Sequence, residues 1–426
     1  MVIVTLIGLF FLLMIIGVPV ALAMGITSIV VAFQLDIPLS MLVQRMVAGV
    51  NSFPLLAIPF FILAGEIMNT GGISKRLVNL SDVIVGRFRG GLGIVNVNTS
   101  MLFGGISGSA LADASSIGSI MIPMMKKKGY DTDYAVAVTV SGATQGIIIP
   151  PSHNMIIYAL AAGGGISISS LFLAGIVPGI LLGIALMVTA YIIAVKRKYP
   201  AEKPSTFKEV LIAMKEAVPG LMTGVIIIGG IMTGIFTVTE SAAIAVAYAF
   251  ITSFVFNREV PISRIIPVIS RTFKTLAMVL FLIATSSGFA WLLALLRVPA
   301  LVSEKLLSLT NNPIIITLIL IVILLFLGTI LDVAPIILIT TPILLPIAIS
   351  IGMDPVHYGI VMMMCMAIGL VTPPVGGALF VGSAIGKIPV ENVVKALLPF
   401  YVSMIVILLF IAFVPQIVMF IPNIFG

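Results

Sequence analysis

The chain alternates long apolar runs with short charged stretches, and clusters of glycine, proline and hydroxyl residues interrupt several of the runs. An apolar helix needs ~20 residues to cross the hydrocarbon of a bilayer. Val2 to Leu35 is too long for one crossing, and the break at Gly17-Val18-Pro19 predicts two short spans meeting at a tight turn. Ile37 to Val50 carries Gln44 and Arg45 and is expected to lie along the interface. Phe53 to Asn69 reads as a third span with Glu66 near its end. A polar loop holding Lys75, Arg76, Arg87 and Arg89 is expected after it.

Gly91 to Met125 is apolar but basic on both flanks, the second flank being Lys126, Lys127 and Lys128. A simple crossing would put one basic cluster outside, against the positive-inside rule. A re-entrant helical hairpin over 91–128, with its tip at Gly104 to Ser109, keeps both inside. Residues 131–162 read as a broken helix interrupted from Ile147 to Pro151, and Gly163-Gly164-Gly165 as an outer turn. Ile168 to Val195 returns inward, and Lys196 to Lys215 reads as a cytoplasmic connector.

The second half follows the same logic. Pro219 to Phe236 and Ala242 to Phe256 read as spans joined by a turn with Glu240, and Arg258, Arg264, Arg271 and Lys274 mark another inner stretch. Leu276 to Leu296 crosses outward and Arg297 to Asn312 lies outside. Residues 313–351 read as a second hairpin with its tip at Gly328 to Asp332. Residues 356–386 read as a second broken helix interrupted from Val371 to Pro374, and Ala396 to Pro422 as the last span. The expected fold is an all-α polytopic membrane protein with about ten full spans, two re-entrant hairpins, two broken helices and both termini outside. Of the 22 Lys and Arg residues, this arrangement leaves only Arg45, Arg297 and Lys305 facing out.

Composition agrees. The 426 residues are 60% hydrophobic and 9% charged, with mean hydropathy +1.29, where a soluble domain carries about 25% charge. The net charge of +7 sits in short loops, so it reports membrane topology and not nucleic-acid binding. The single cysteine, Cys365, excludes an internal disulfide. The first residues lack a basic segment and a small-residue cleavage site, so no removable signal peptide is expected.

A shift of 223 positions superposes Pro150-Pro151 on Pro373-Pro374, Gly105 on Gly328, Pro123 on Pro346, Asp131 on Asp354 and Gly146 on Gly369, the difference of each pair of numbers. Prolines and glycines fix where a helix breaks, so their register carries information that matching leucines would not. By charge the first hairpin enters from inside and the second from outside. Residues 1–215 and 216–426 therefore read as inverted repeats, a build common among secondary transporters.

Backbone without helical hydrogen bonds survives at membrane depth only where it is packed in protein or lines a watery site. Such sites bind coupling ions through carbonyls and hydroxyls. The candidate sodium ligands are Ser107, Ser109, Thr144, Gly146, Ile149 and Pro151 in the first half. In the second half they are Gly328, Thr329, Asp332, Gly369, Thr372 and Pro374. Candidate substrate contacts are Ser107, Ser152, Asn154 and Asp332. Helices starting near Ala110 and Val333 would aim positive dipole ends at the midplane, where they can hold a carboxylate without a membrane arginine. Asp113 is a candidate cap for the first tip, His153 reads as a packed neutral histidine, and His357 as structural. The bland alternative is that the glycines and serines only let helices pack closely.

Phe53 to Met68 (FPLLAIPFFILAGEIM), Gly105 to Asp113 (GISGSALAD), Pro123 to Tyr130 (PMMKKKGY) and Ile149 to Ser152 (IPPS) together resemble the large membrane subunit of TRAP (tripartite ATP-independent periplasmic) transporters. The resemblance covers essentially the whole chain. It implies sodium-coupled import of an organic acid, of the sialic acid or C4-dicarboxylate type, across the bacterial inner membrane. It also implies two partners, a small four-helix membrane subunit and a periplasmic substrate-binding protein. An elevator in which the hairpins and broken helices slide against a scaffold is implied as well. No cofactor is implied beyond sodium as the coupling ion. Two other readings compete: a stand-alone sodium–carboxylate symporter, and an intramembrane serine protease built on Gly105-Ile106-Ser107-Gly108 with His153. No HExxH, Walker A or GxGxxG pattern is present, so the sequence predicts a gradient-driven transporter and no enzyme.

Overall fold

A computed structural model describes residues 2–201, 204–256, 261–310 and 312–425. Arg258, read above as part of an inner basic stretch, lies outside them. The described residues are helical, with an isolated bridge between Arg89 and Ala201 as the only extended pairing among them.

The first group of helices is α1 (Val2–Ile15), α2 (Val20–Gln34), α3 (Leu39–Val50), α4 (Ala57–Thr70) and α5 (Ile73–Val85). The first hairpin follows as α6 (Gly91–Ser107) and α7 (Ala110–Lys127). The first broken helix is α8 (Thr132–Ala143), α9 (Gln145–Ile148) and α10 (His153–Ala161), and α11 (Ile168–Lys196) completes the half. The second half begins with α12 (Phe207–Met232), α13 (Val238–Phe250), α14 (Ile265–Leu295) and α15 (Val298–Leu309). Its hairpin is α16 (Pro313–Gly328) and α17 (Val333–Ser350), its broken helix α18 (Pro355–Gly369) and α19 (Gly377–Gly386), and α20 (Val390–Phe413) closes it.

The breaks follow from local chemistry. Gly108 occupies the left-handed region at φ +61°, which ends α6 and turns the chain into Ser109, the N-cap of α7. Proline removes a backbone donor and disfavours helix at the residue before it, so Pro150-Pro151 and Pro373-Pro374 stop α9 and α18 within a few residues. Both Pro–Pro bonds are cis.

Packing sorts the helices into two groups. In the first, α4 lies against α13 and α14, α14 also against α2 and α3, and α5 against α12. In the second, α6 lies against α7, α8 and α11, α8 also against α19 and α20, α16 against α18, and α10 against α17. The groups meet along α5–α6, α14–α17 and α15–α17. The deepest core is made by the first halves of the two broken helices. Every residue from Tyr134 to Ala143 and from His357 to Gly369 is buried, which fits helices that are apolar or small on all sides.

Six helices among the described residues are long and apolar enough to cross a membrane, including α11, α12, α14, α17 and α20. Large apolar side chains such as Ile15, Ile266 and Phe326 stand exposed on the surface, as lipid contact requires.

Three expectations differ in detail. The stretch with Lys75 and Arg76 is the amphipathic helix α5, which buries Ile73, Leu77 and Leu80, and not a polar loop. The connector after Lys196 is shorter than expected, because α12 starts at Phe207 and takes in Lys208 and Lys215. Arg297 to Asn312 is largely a helix, α15, packed on α17.

Candidate functional site

The two hairpin tips and two breaks meet pairwise through glycine. A Cβ built on Gly146 would lie 2.8 Å from Asp113 Oδ2 and 3.0 Å from the Ser109 carbonyl carbon. A Cβ built on Gly369 would lie 2.5 Å from the Gly328 Cα. Each tip is therefore pressed closely against the helix break of its own half.

In the first half, the Ser107 hydroxyl donates to the Asp113 carboxylate and accepts the Ser109 N–H at 3.2 Å. Ser109 Oγ accepts the Ala112 N–H at 3.4 Å and caps α7. Asp113 is fully buried, and its Oδ2 has no hydrogen-bond partner among the described residues. Ser152 Oγ is likewise buried and unpaired. Buried polar oxygens normally find partners, and these two are among the exceptions near the first tip and break. Thr144 donates its hydroxyl to the Ser141 carbonyl at 2.6 Å at the α8–α9 junction. Ile149 is extended and turns its side chain toward Gly179 of α11. Pro151 presents its carbonyl to Gly108, where a Cβ would lie 2.4 Å from it.

The second half is tied differently. The Val375 N–H donates to the Thr329 carbonyl at 3.0 Å, and the Thr372 N–H to the Gly369 carbonyl at 2.9 Å. Thr329 and Thr372 direct their hydroxyls to the Phe326 and Ile368 carbonyls. Tyr401 of α20 donates to the Val371 carbonyl at 2.5 Å. Pro150 and Pro151 are buried whereas Pro373 and Pro374 are exposed, so the second break is open where the first is closed.

Between the tips lies a cavity of about 750 Å³. Ser109, His153, Asn154 and Asp332 supply its polar groups, and Ala110 and Val333 open onto it. Three helices thus begin at this cavity: α7 at Ala110, α10 at His153 and α17 at Val333. Their free N–H groups and positive dipole ends make it suited to an anion. Asp332 caps α17 without a side-chain hydrogen bond, and a Cβ on Gly377 at the start of α19 would lie 3.7 Å from its Oδ1. A carboxylate here opposes a bound acid unless a cation lies between them.

Of the sequence-predicted residues, Ser109, Asn154 and Asp332 line the cavity. Ser107, Gly146 and Pro151 lie behind the first tip, Gly328, Thr329, Gly369 and Thr372 lie at the second tip and break, and Pro374 is exposed in that break. His153, read as a packed histidine, faces the cavity. Missed entirely is the far wall, made by Pro19 to Leu22 of the α2 start and by Met278 to Leu282 of α14. The Pro19 break was visible, but the middle of α14 carries no polar residue to signal it.

The chain matches the family model described as tripartite ATP-independent periplasmic transporter, DctM component, over residues 7–417. It is 44% identical to the protein YgiK of Salmonella typhimurium, over all of this chain and 98% of that one. It is 38% identical to the sialic acid TRAP transporter large permease protein of Vibrio cholerae, over 90% of this chain and 89% of that one. The C4-dicarboxylate TRAP transporter large permease of the same species is also 38% identical, over 96% and 95%. The YdaH transporter of Alcanivorax borkumensis has a similar fold, with a TM-score of 0.63 at 13% identity over 89% of this chain and 88% of that one. Two of these relatives carry the name TRAP transporter large permease protein. With its paired hairpins, paired breaks and shared cavity, this chain belongs to the DctM family, the large membrane component of the tripartite ATP-independent periplasmic transporters.

Proposed function

We propose that this chain imports an organic acid, of the sialic acid or C4-dicarboxylate type, coupled to sodium. The observation that carries the reading is the convergence of three helix N-termini and one carboxylate, Asp332, on a single cavity. An organic acid fits the N-termini. A cation beside Asp332 relieves the repulsion between the two carboxylates, so ion and acid bind better together than apart.

The two helix groups support an elevator. The polar lining of the cavity comes from α6–α11 and α16–α20 and their tips, while the wall from α2 and α14 is apolar. A carrier group that holds every polar contact can slide past an apolar wall without breaking hydrogen bonds. In this reading residues 1–215 and 216–426 are inverted repeats, each giving one part to the scaffold and one to the carrier. Both termini face the periplasm of a bacterial inner membrane. A small membrane subunit and a periplasmic binding protein are the partners, and the binding protein delivers the acid.

The test is uptake in proteoliposomes that hold the chain with both partners. Radiolabelled sialic acid and succinate are offered separately under an inward sodium gradient. The reading expects accumulation of one of them that disappears when potassium replaces sodium and when the binding protein is left out. Uptake by this chain alone favours the stand-alone symporter, and uptake indifferent to sodium overturns the coupling.

A further inference from the structure

The chain passes from scaffold to carrier and back at its inner face through two linkers. One runs from the end of α5 to Gly91, the other from Lys196 to the start of α12. Nothing in an elevator requires these linkers to touch. Here they pair: Arg89 and Ala201 form an antiparallel bridge, and the Gly90 N–H donates to the Pro200 carbonyl at 3.0 Å. Arg89 Nε reaches the Tyr199 carbonyl at 3.4 Å. Gly90 sits at φ +68°, and a Cβ there would fall 2.0 Å from the Cβ of Ala194 on α11, so only glycine lets the strands close.

The pair is then bolted to the carrier. Arg197 contacts Asp131 at 3.0 Å and Asp133 at 2.9 Å and 3.1 Å, across the start of α8. The Tyr199 hydroxyl donates to Asp131 at 2.7 Å, and its ring packs between those of Tyr130 and Tyr134.

We propose that Arg89–Gly90 and Arg197–Ala201 form one clasp that travels with the carrier and stays closed through the transport cycle. It gives both inner linkers a single moving anchor. Arg197 is the positioning residue, since it spans both carboxylates of α8 from the second linker. This inference rests on the elevator reading above.

The test uses cysteine pairs in a Cys365→Ala background, with both partners present and sialic acid and succinate as probes. Directly bridged positions suit a disulfide. Oxidised Arg89→Cys/Ala201→Cys is expected to transport within about twofold of its reduced form, a difference under ~0.5 kcal/mol. The pair Ser81→Cys/Asn98→Cys spans α5 and α6, whose native side chains hydrogen-bond at 3.0 Å. Its disulfide ties carrier to scaffold, so oxidation should arrest uptake and reductant restore it.

Arrest by both pairs overturns the clasp and leaves the elevator standing. Arrest by neither contradicts the elevator itself. Arg197→Gln keeps the inference falsifiable if the first pair does not insert. It should slow uptake at least about threefold at an unchanged sodium half-saturation, and the charge-reversed Arg197→Asp/Asp133→Arg should recover part of the rate. Native-rate uptake by Arg197→Gln overturns the clasp.

Discussion

Gly328 and Gly369 touch backbone to backbone: a Cβ on Gly369 would lie 2.5 Å from the Gly328 Cα and 2.7 Å from its carbonyl oxygen. Gly146 stands in the same relation to the first tip, beside Ser109 and Asp113. Contacts this close leave no room for a methyl group.

Gly369→Ala should force the second tip and break apart. Overpacking of this kind costs about 1–3 kcal/mol, and we expect uptake to fall at least tenfold in chain that still reaches the membrane. Gly229→Ala is the control, since a Cβ there meets nothing within 4 Å. Equal uptake by the two variants contradicts the close-contact account.

On the proposed function, Asp332→Asn removes the charge that would hold a cation beside the acid. Loss of one such interaction of about 1.4 kcal/mol raises the sodium half-saturation about tenfold. Ser107→Ala, which removes the hydroxyl bonded to Asp113, should shift it in the same direction. A sodium titration of uptake checks both, and unchanged curves remove these residues from the ion sites.

Ala21→Trp places a large side chain in the cavity from the α2 side. Uptake should fall at least about tenfold in chain that still reaches the membrane, because the acid loses its space in the cavity. Full uptake by this variant places the transport route elsewhere.

The Tyr199 hydroxyl and the Arg197 guanidinium together hold the Asp131 carboxyl below the usual carboxylate range. A lowered folded-state pKa stabilises above the ordinary aspartate value of ~3.9, and the stabilisation is lost only as pH falls through the lowered value. The melting-temperature gap between the native chain and Asp131→Asn should thus be constant from pH 8 to about pH 5 and shrink in stronger acid. A gap that closes between pH 8 and pH 6 contradicts this pairing.

The hairpins and breaks were legible because glycine at Gly108, proline at Pro150-Pro151 and Pro373-Pro374, and the flanking lysines at Lys126 to Lys128 each act locally. Lys75 and Arg76 make the α5 stretch look like a loop, although Ile73, Leu77 and Leu80 trace a helical face. The early start of α12 was marked by Thr206 and Glu209, whose side chains form a capping box. The apolar cavity wall and the Arg197–Asp131–Asp133 clasp were not legible. Both depend on which distant segments pack together, which local sequence does not encode.

The most direct test is a density map of the chain with its small subunit in sodium and sialic acid, repeated with succinate. The account predicts an acid held between Ser109 and Asp332 against the starts of α7, α10 and α17, with an ion at each tip–break contact. An acid bound away from both tips, or tips separated by unbroken helix, contradicts it.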